Sequence, residues 1–161
     1  MGLCPQFDTV WPTLTVQEHL LLYARLKGIP MESESAAAQW VAAQVELDGD
    51  AYYQPASQLS GGMRRRLSLG IALVGNPKIV FLDEPTTGLH FEDISKLLMS
   101  FEKLRDNNST VIVIEHNKDI IINSDYIVDL GPGGGDYGGE IVYQGEPKGL
   151  KKTKSLTGKY L

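Results

Sequence analysis

One cysteine, Cys4, is all that the 161 residues contain, which excludes a disulfide within the chain, and no Cys/His group has zinc-site spacing. No apolar run approaches the roughly 18 residues of a membrane-crossing helix, and no signal peptide is visible. A membrane role would therefore come through a partner, and the expected location is the cytoplasm or the cytoplasmic face of a membrane. A third absence concerns phosphate binding. The string Gly-x-x-x-x-Gly-Lys-[Ser/Thr], whose amides wrap phosphates and whose Lys and hydroxyl hold phosphate and magnesium, occurs nowhere in the sequence. Gly158-Lys159 is followed by Tyr160, and Gly149-Leu150-Lys151 has the wrong order. Cations are also outnumbered: 15 Lys and Arg against 20 Asp and Glu argue against the whole body binding nucleic acid. From Lys148 onward there are five lysines and no acid, a run that reads as a solvated tail.

What is present is a core-forming composition, 42% hydrophobic and 22% charged, and a set of short polar motifs. In Gln58-Leu59-Ser60-Gly61-Gly62-Met63-Arg64-Arg65-Arg66, a Ser-Gly-Gly turn opens a helix and offers amides and a hydroxyl to a phosphate oxygen. By itself such a turn is usually only a loop, and the three arginines read as a solvated helix face. In Ile79-Val80-Phe81-Leu82-Asp83-Glu84-Pro85, an apolar strand delivers two carboxylates, although adjacent acids can also merely cap a turn. Glu115-His116 follows a second apolar strand, where a histidine is often just a satisfied sheet-edge residue. His19 reads as a surface helix residue.

Alternating elements run along the chain. Thr15 and Glu18 can form a capping box for a helix continuing through Leu20, Leu21, Leu22, Ala24 and Leu26 to Gly28. A second helix is predicted from about Glu34 to Leu47, with Trp40, Val41 and Val45 on one side. A third runs from about Gly62 to Val74, stopped by Gly75-Asn76-Pro77. The continuous apolar run Lys78 to Leu82 reads as a buried strand. Helix Phe91 to Asp106, strand Thr110 to Ile114, helix Lys118 to Ile122, and strands Tyr126 to Leu130 and Glu140 to Tyr143 follow. The glycine-rich Gly131 to Gly139 reads as a mobile turn between the last two strands. Strands alternating with helices imply an α/β fold with a largely parallel sheet.

Together these motifs resemble the signature (Leu59 to Met63) and Walker B (Ile79 to Glu84) sequences of the ABC-type ATPases, which are P-loop NTPases. Gln6, in Cys4-Pro5-Gln6-Phe7, resembles the Q-loop glutamine, and His116 the H-loop histidine. The resemblance implies ATP and Mg2+ as ligands. Asp83 would bind the magnesium ion through its water shell, and Gln6 would sense that ion and the attacking water. Glu84 would polarise that water, and His116 would meet the γ-phosphate. Leu59, Ser60, Gly61, Gly62 and Met63 would close over ATP held by a second ABC ATPase domain in a head-to-tail dimer. Walker A precedes the Q-loop in this family, so residues 1–161 look like the back part of one truncated nucleotide-binding domain. Within it, about 8–57 would be the helical subdomain and 58–161 the signature, Walker B, D-loop, H-loop and C-terminal part. Only five residues precede Gln6, too few for a strand expected to fix it.

The resemblance divides. Residues 2–89 are similar to ABC transporters of subfamily A, through Gly2-Leu3-Cys4-Pro5-Gln6-Phe7-Asp8, Leu14-Thr15-Val16-Gln17-Glu18-His19-Leu20 and Leu59 to Ser68. Residues 90–161 resemble the C-terminal end of the excinuclease subunit UvrA, through His90-Phe91-Glu92-Asp93-Ile94, Val113-Ile114-Glu115-His116-Asn117, Asp129-Leu130-Gly131-Pro132 and the terminal Thr157-Gly158-Lys159-Tyr160-Leu161. His90 stands where subfamily A carries a D-loop aspartate. The string Leu82 to Leu89 is common to both, so the chain looks like a chimera joined there. The transporter half implies ATP binding and hydrolysis alongside a transmembrane partner domain. The other half implies a DNA-repair ATPase module with DNA as partner, and a third reading is a non-catalytic fragment.

Without the first strands, bare sheet edges and uncovered apolar faces are expected on Ile79, Val80, Val111 and Val113. ATP hydrolysis by the chain alone is expected to be absent. Isothermal titration of the 161-residue chain should show no magnesium-ATP binding in the micromolar range. Micromolar binding that vanishes with Glu84→Gln or His116→Ala would reveal a substitute phosphate site.

Overall fold

A computed structural model of the chain describes residues 1–131, 133, 138–153 and 155–161. It divides into two compact units, Met1–Ile114 and Glu115–Leu161. The first contains, in chain order, β1 (Gly2–Cys4), α1 (Val16–Leu26), α2 (Met31–Gln44), two short 3-10 turns (Gly49–Tyr53 and Ala56–Gln58), α3 (Gly61–Leu73), β2 (Ile79–Asp83), α4 (Phe91–Asp106) and β3 (Thr110–Ile114). The second contains α5 (Lys118–Ile122), β4 (Ile127–Gly131), β5 (Glu140–Gly145), α6 (Pro147–Leu150) and α7 (Leu156–Tyr160).

The three strands of the first unit form a parallel sheet in the order β1-β2-β3. With its helices this is the α/β architecture expected of an ABC ATPase domain. β1 has only three residues, yet it pairs in register, Cys4 opposite Leu82, and so fixes the chain just before Gln6. Its backbone also lies so close to the last turn of α3 that a Cβ on Gly2 would strike the Ala72 carbonyl.

Register decides which side of the sheet is covered. Cys4, Val80 and Leu82 are buried on one face, with Val111 and Val113 packed against them. Leu3 (63% exposed), Ile112 (42%) and Ile114 (59%) lie on the other. The exposed apolar set is therefore Leu3, Ile79, Ile112 and Ile114; Val80 belongs to the core, and half-buried Val111 and Val113 pack against it. β2 is correspondingly buried on one face rather than two. Its continuous apolar run reflects a sheet suited to cover on both sides, while α3 and α4 cover only the Val80 and Leu82 side.

Helix α3 is central. Leu67, Leu69, Gly70, Ile71, Ala72 and Leu73 are all buried, so the helix is enclosed on every side rather than amphipathic. Arg65 and Arg66 are buried too, at 4% and 5% exposure, which overturns the solvated-face reading for both. The carbonyls crowded around the helix give these guanidiniums acceptors. At its other end, Lys27 Nζ donates to the carbonyls of Ile71 (3.3 Å), Ala72 (3.1 Å) and Val74 (2.6 Å), closing the last turn. Burial lowers the Lys27 pKa.

The capping box of α1 is present: Thr15 Oγ1 accepts from Glu18 N at 3.1 Å, and Glu18 accepts from Thr15 N at 2.7 Å. α2 starts earlier than predicted, at Met31, because Pro30 suits a helix start. It ends at Gln44, before Glu46 turns left-handed at φ 54°. Val41 and Val45 are buried as expected, whereas Trp40 is exposed one step around the helix. Buried Glu34 pairs with Arg25 at 2.9 Å.

In the second unit β4 and β5 pair antiparallel, so the parallel expectation holds for the first sheet alone. Pro132 and residues 134–137 of the glycine-rich turn lie outside the described residues, as does Lys154. The lysine-rich tail folds rather than trailing into solvent. Leu150 of α6 is buried, Ser155 Oγ caps α7 by accepting from Gly158 N at 2.9 Å, and Thr157 Oγ1 donates to Asp129 at 2.8 Å. Among the described residues no helix is long and apolar enough to cross a membrane.

His19 is fully buried, contrary to the surface reading. Its Nε2 accepts from the Trp11 backbone N–H at 2.9 Å, which leaves Nδ1 to donate to the Thr15 carbonyl at 2.7 Å. That arrangement needs a neutral ring, and burial lowers the pKa, opposed by the Thr15 carbonyl and by Glu18. The unfolded chain then binds the extra proton more readily, so stability falls as pH drops below the ordinary histidine value of 6.5 and levels off below the folded pKa. The thermal midpoint should therefore be lower at pH 5.5 than at pH 7.5, and His19→Gln should flatten that difference; an unchanged slope in His19→Gln would assign it to other groups.

Candidate functional site

Two strand ends and one helix start meet in the first unit. Asp83 closes β2, and Glu84 follows it with φ 40°, an uncommon conformation for a residue with a side chain. The Glu84 amide still bonds across the sheet to Ile114 O at 2.9 Å, and its carbonyl accepts from Thr87 N at 3.2 Å. The left-handed turn therefore aims the carboxylate off the end of the sheet. One of its oxygens, Oε2, accepts from Gln6 Nε2 at 2.7 Å and from Thr87 Oγ1 at 3.1 Å. Residues 6 and 84 thus meet although 78 positions separate them. The expectation that Gln6 would be poorly fixed fails because β1 and the Gln6 carbonyl are both held in place.

The holding group is Arg65. From the second turn of α3 its Nη1 donates to Pro5 O and to Gln6 O (3.0 Å), its Nη2 to Asp83 O (2.7 Å) and its Nε to Pro85 O (3.1 Å). Asp8 lies 3.5 Å from the same guanidinium and also accepts from Ser68 Oγ at 2.9 Å. Beneath it, burial raises the Cys4 thiol to about 11, with Arg65 pulling the other way, so Cys4 stays a protonated, inert core residue. Nothing in the local motif announces Arg65. The signal lay in the window it occupies, since an arginine beside a helix apolar all round must find acceptors inside.

The start of α3 is built differently. Ser60 is the N-cap, and its Oγ accepts from Met63 N at 3.1 Å. The amide of exposed Gly61 precedes the first intrahelical bond, which leaves it to an outside acceptor, with the positive end of the helix dipole behind it, whereas Gly62 is buried. Ser60 and Gly61 are exposed, and Leu59 is buried beneath them. The Asp93 carboxylate of α4 lies directly against Gly62, where any Cβ would overlap it. Arg66 turns away, donating to the Val45 (2.9 Å) and Glu46 (2.8 Å) carbonyls; burial lowers its pKa, while Glu46 and Asp93 oppose the fall. Arg64 bonds the Leu59 carbonyl at 2.8 Å.

His116 follows Glu115 at the start of the second unit. Its backbone N–H donates to Glu115 at 2.8 Å, as does that of Asn117 at 3.0 Å. His90 is exposed at the N-cap of α4 and makes no side-chain cap bond there. Among the described residues no cluster of three or more His, Cys, Asp or Glu could hold a metal ion. One carboxylate (Asp83) and one amide oxygen (Gln6) at the strand ends suit an ion that keeps most of its own waters, as magnesium does.

Residues 1–87 match the family described as ABC transporter. The chain belongs to that family. Curated relatives include the UvrABC system protein A of Thermus thermophilus, 48% identical over 111 residues, and those of Staphylococcus aureus (51% over 112) and Bacillus subtilis (51% over 112). Each match takes in 67% of this chain and 12% of the relative, so the chain spans about one eighth of their length. Two thirds of the chain is longer than the stretch 90–161, so the likeness to UvrA starts upstream of His90 and overlaps the ABC transporter match. Arg65 thus joins the chain at Pro5 and Gln6 to the end of β2, and the Asp93 carboxylate occupies the space beside Gly62. Gly62→Ala should destabilise the chain by under about 1 kcal/mol, because the Asp93 carboxylate must turn aside while alanine itself favours the helix. Asp93→Ala should recover much of that loss in the double variant, as measured by urea unfolding; equal costs with and without Asp93 would contradict this packing.

Proposed function

We propose that the chain is an ATP-binding and ATP-hydrolysing module of ABC type that works in a head-to-tail pair with a second ABC ATPase domain. The observation that carries this reading is the Gln6–Glu84 hydrogen bond of 2.7 Å at the end of the strand that also ends in Asp83. Glu84 is the group to polarise the attacking water, and His116 is assigned to the γ-phosphate. Asp83 and Gln6 would hold a magnesium ion through its waters, and that ion would supply charge neutralisation at the phosphates. The Leu59 to Met63 segment is assigned to ATP on the partner, because the exposed Ser60 cap and the exposed Gly61 amide offer a phosphate contact at the start of α3. The Gly-x-x-x-x-Gly-Lys-[Ser/Thr] loop needed to hold ATP on this side is assigned to another stretch of polypeptide, since these 161 residues have none.

Two biological settings fit such a module. The match to ABC transporter over residues 1–87 supports coupling to a transmembrane domain, with the subfamily A likeness as its finer form. The 48–51% identity to UvrABC system protein A supports a DNA-repair ATPase instead, with DNA as partner. The chimeric origin suggested by the sequence would place both ancestries in one chain.

Complementation tests the module directly. Mixed with an ABC domain that carries Walker A but a broken signature, this chain should restore ATP hydrolysis. Ser60→Arg should abolish the rescue by filling the phosphate position, while Glu84→Gln should leave it intact. Rescue that depends on Glu84 and tolerates Ser60→Arg would overturn the assignment of the signature to a partner's ATP.

A further inference from the structure

We propose that Arg65 is a positioning residue that sets Gln6 against Glu84. Its guanidinium joins three segments at their main chain: Pro5 and Gln6 after β1, Asp83 and Pro85 around the end of β2, and α3, from which it projects. Every N–H direction of the planar fork that points at a strand end finds a carbonyl oxygen. Gln6 and Glu84 are each next to a residue so held, and Gln6 is itself held. Two side chains from distant parts of the sequence keep a 2.7 Å bond only if their backbones are fixed relative to each other. In a sheet whose first strand is three residues long, ladder bonds alone fix little of the chain beyond Cys4.

The charge of Arg65 belongs to the same device. Buried at 4% exposure, it would be costly without partners, and four carbonyl dipoles and the nearby Asp8 carboxylate supply them. Ser68, one turn further along α3, holds that carboxylate at 2.9 Å. The helix therefore grips the segment 5–8 at two points. A lysine at position 65 would present one ammonium, with its three N–H bonds radiating from a single atom, and could not span both strand ends at once. A neutral residue would leave these four carbonyls, one buried and three half-buried, short of a donor.

The role given to Gln6 and Glu84 rests on the proposed ATPase reading, but their placement can be read without nucleotide. In the 161-residue chain, the Gln6 side-chain amide protons, assigned through Gln6→Ala, should be shifted from those of exposed glutamines such as Gln58 and should exchange slowly. Arg65→Lys should move them to the exposed positions and speed their exchange about tenfold, the counterpart of one hydrogen bond. Glu84→Gln should do the same. An Arg65→Lys chain that melts lower yet keeps the Gln6 signals in place would reduce Arg65 to a structural residue and overturn the proposal. If Arg65→Lys does not fold, Ser68→Ala, which frees Asp8 and leaves the carbonyl contacts intact, should give a partial shift; Gln6 signals identical to the unaltered chain would overturn the proposal equally. Gln6 signals that follow Arg65 while complementation fails would sink the ATPase reading and leave the positioning role standing.

Discussion

A buried positive charge is acceptable in a protein only where the surrounding dipoles have been recruited to it, and around Arg65 they have. Four backbone oxygens converge on one guanidinium, and those oxygens belong to the two strand ends that bear Gln6, Asp83 and Glu84. The dependence runs in both directions. The strand ends keep their separation because the arginine spans them, and the arginine can stay buried because they present carbonyls rather than amides. The rest of the first unit supports this arrangement. Lys27 closes the far end of α3, and Gly2 lets β1 approach its last turn.

The sequence made the secondary elements legible to different depths. α4, β3 and α5 start and end where periodicity and capping residues place them. α2 is displaced by three residues because Pro30 outweighed the hydrophobic spacing at its start. The tail was misjudged for a different reason. Lys148, Lys151, Lys152 and Lys159 are exposed, as their charge implies, but the buried Leu150 and the Ser155 cap are single residues whose effect no run of composition reveals.

The candidate site was legible as a set of motifs and much less so as a geometry. The Ser60 cap and the Asp83-Glu84 strand end follow from local rules, and both are where those rules put them. The Gln6–Glu84 bond, the Asp93 contact with Gly62 and the grip of Arg65 all join residues far apart in sequence, and no local pattern encodes them. His19 belongs with these: buried because Trp11 and Thr15 satisfy both ring nitrogens, it looks like any polar helix residue when read in line.

The apolar sheet face formed by Leu3, Ile79, Ile112 and Ile114 has a consequence for handling the molecule. Joining two such faces is a bimolecular event, so its rate rises with the square of protein concentration, whereas unfolding is unimolecular and ignores it. Dilution should therefore slow that association without touching the rate of unfolding. Cooling also weakens the hydrophobic attraction between the faces, but only gradually.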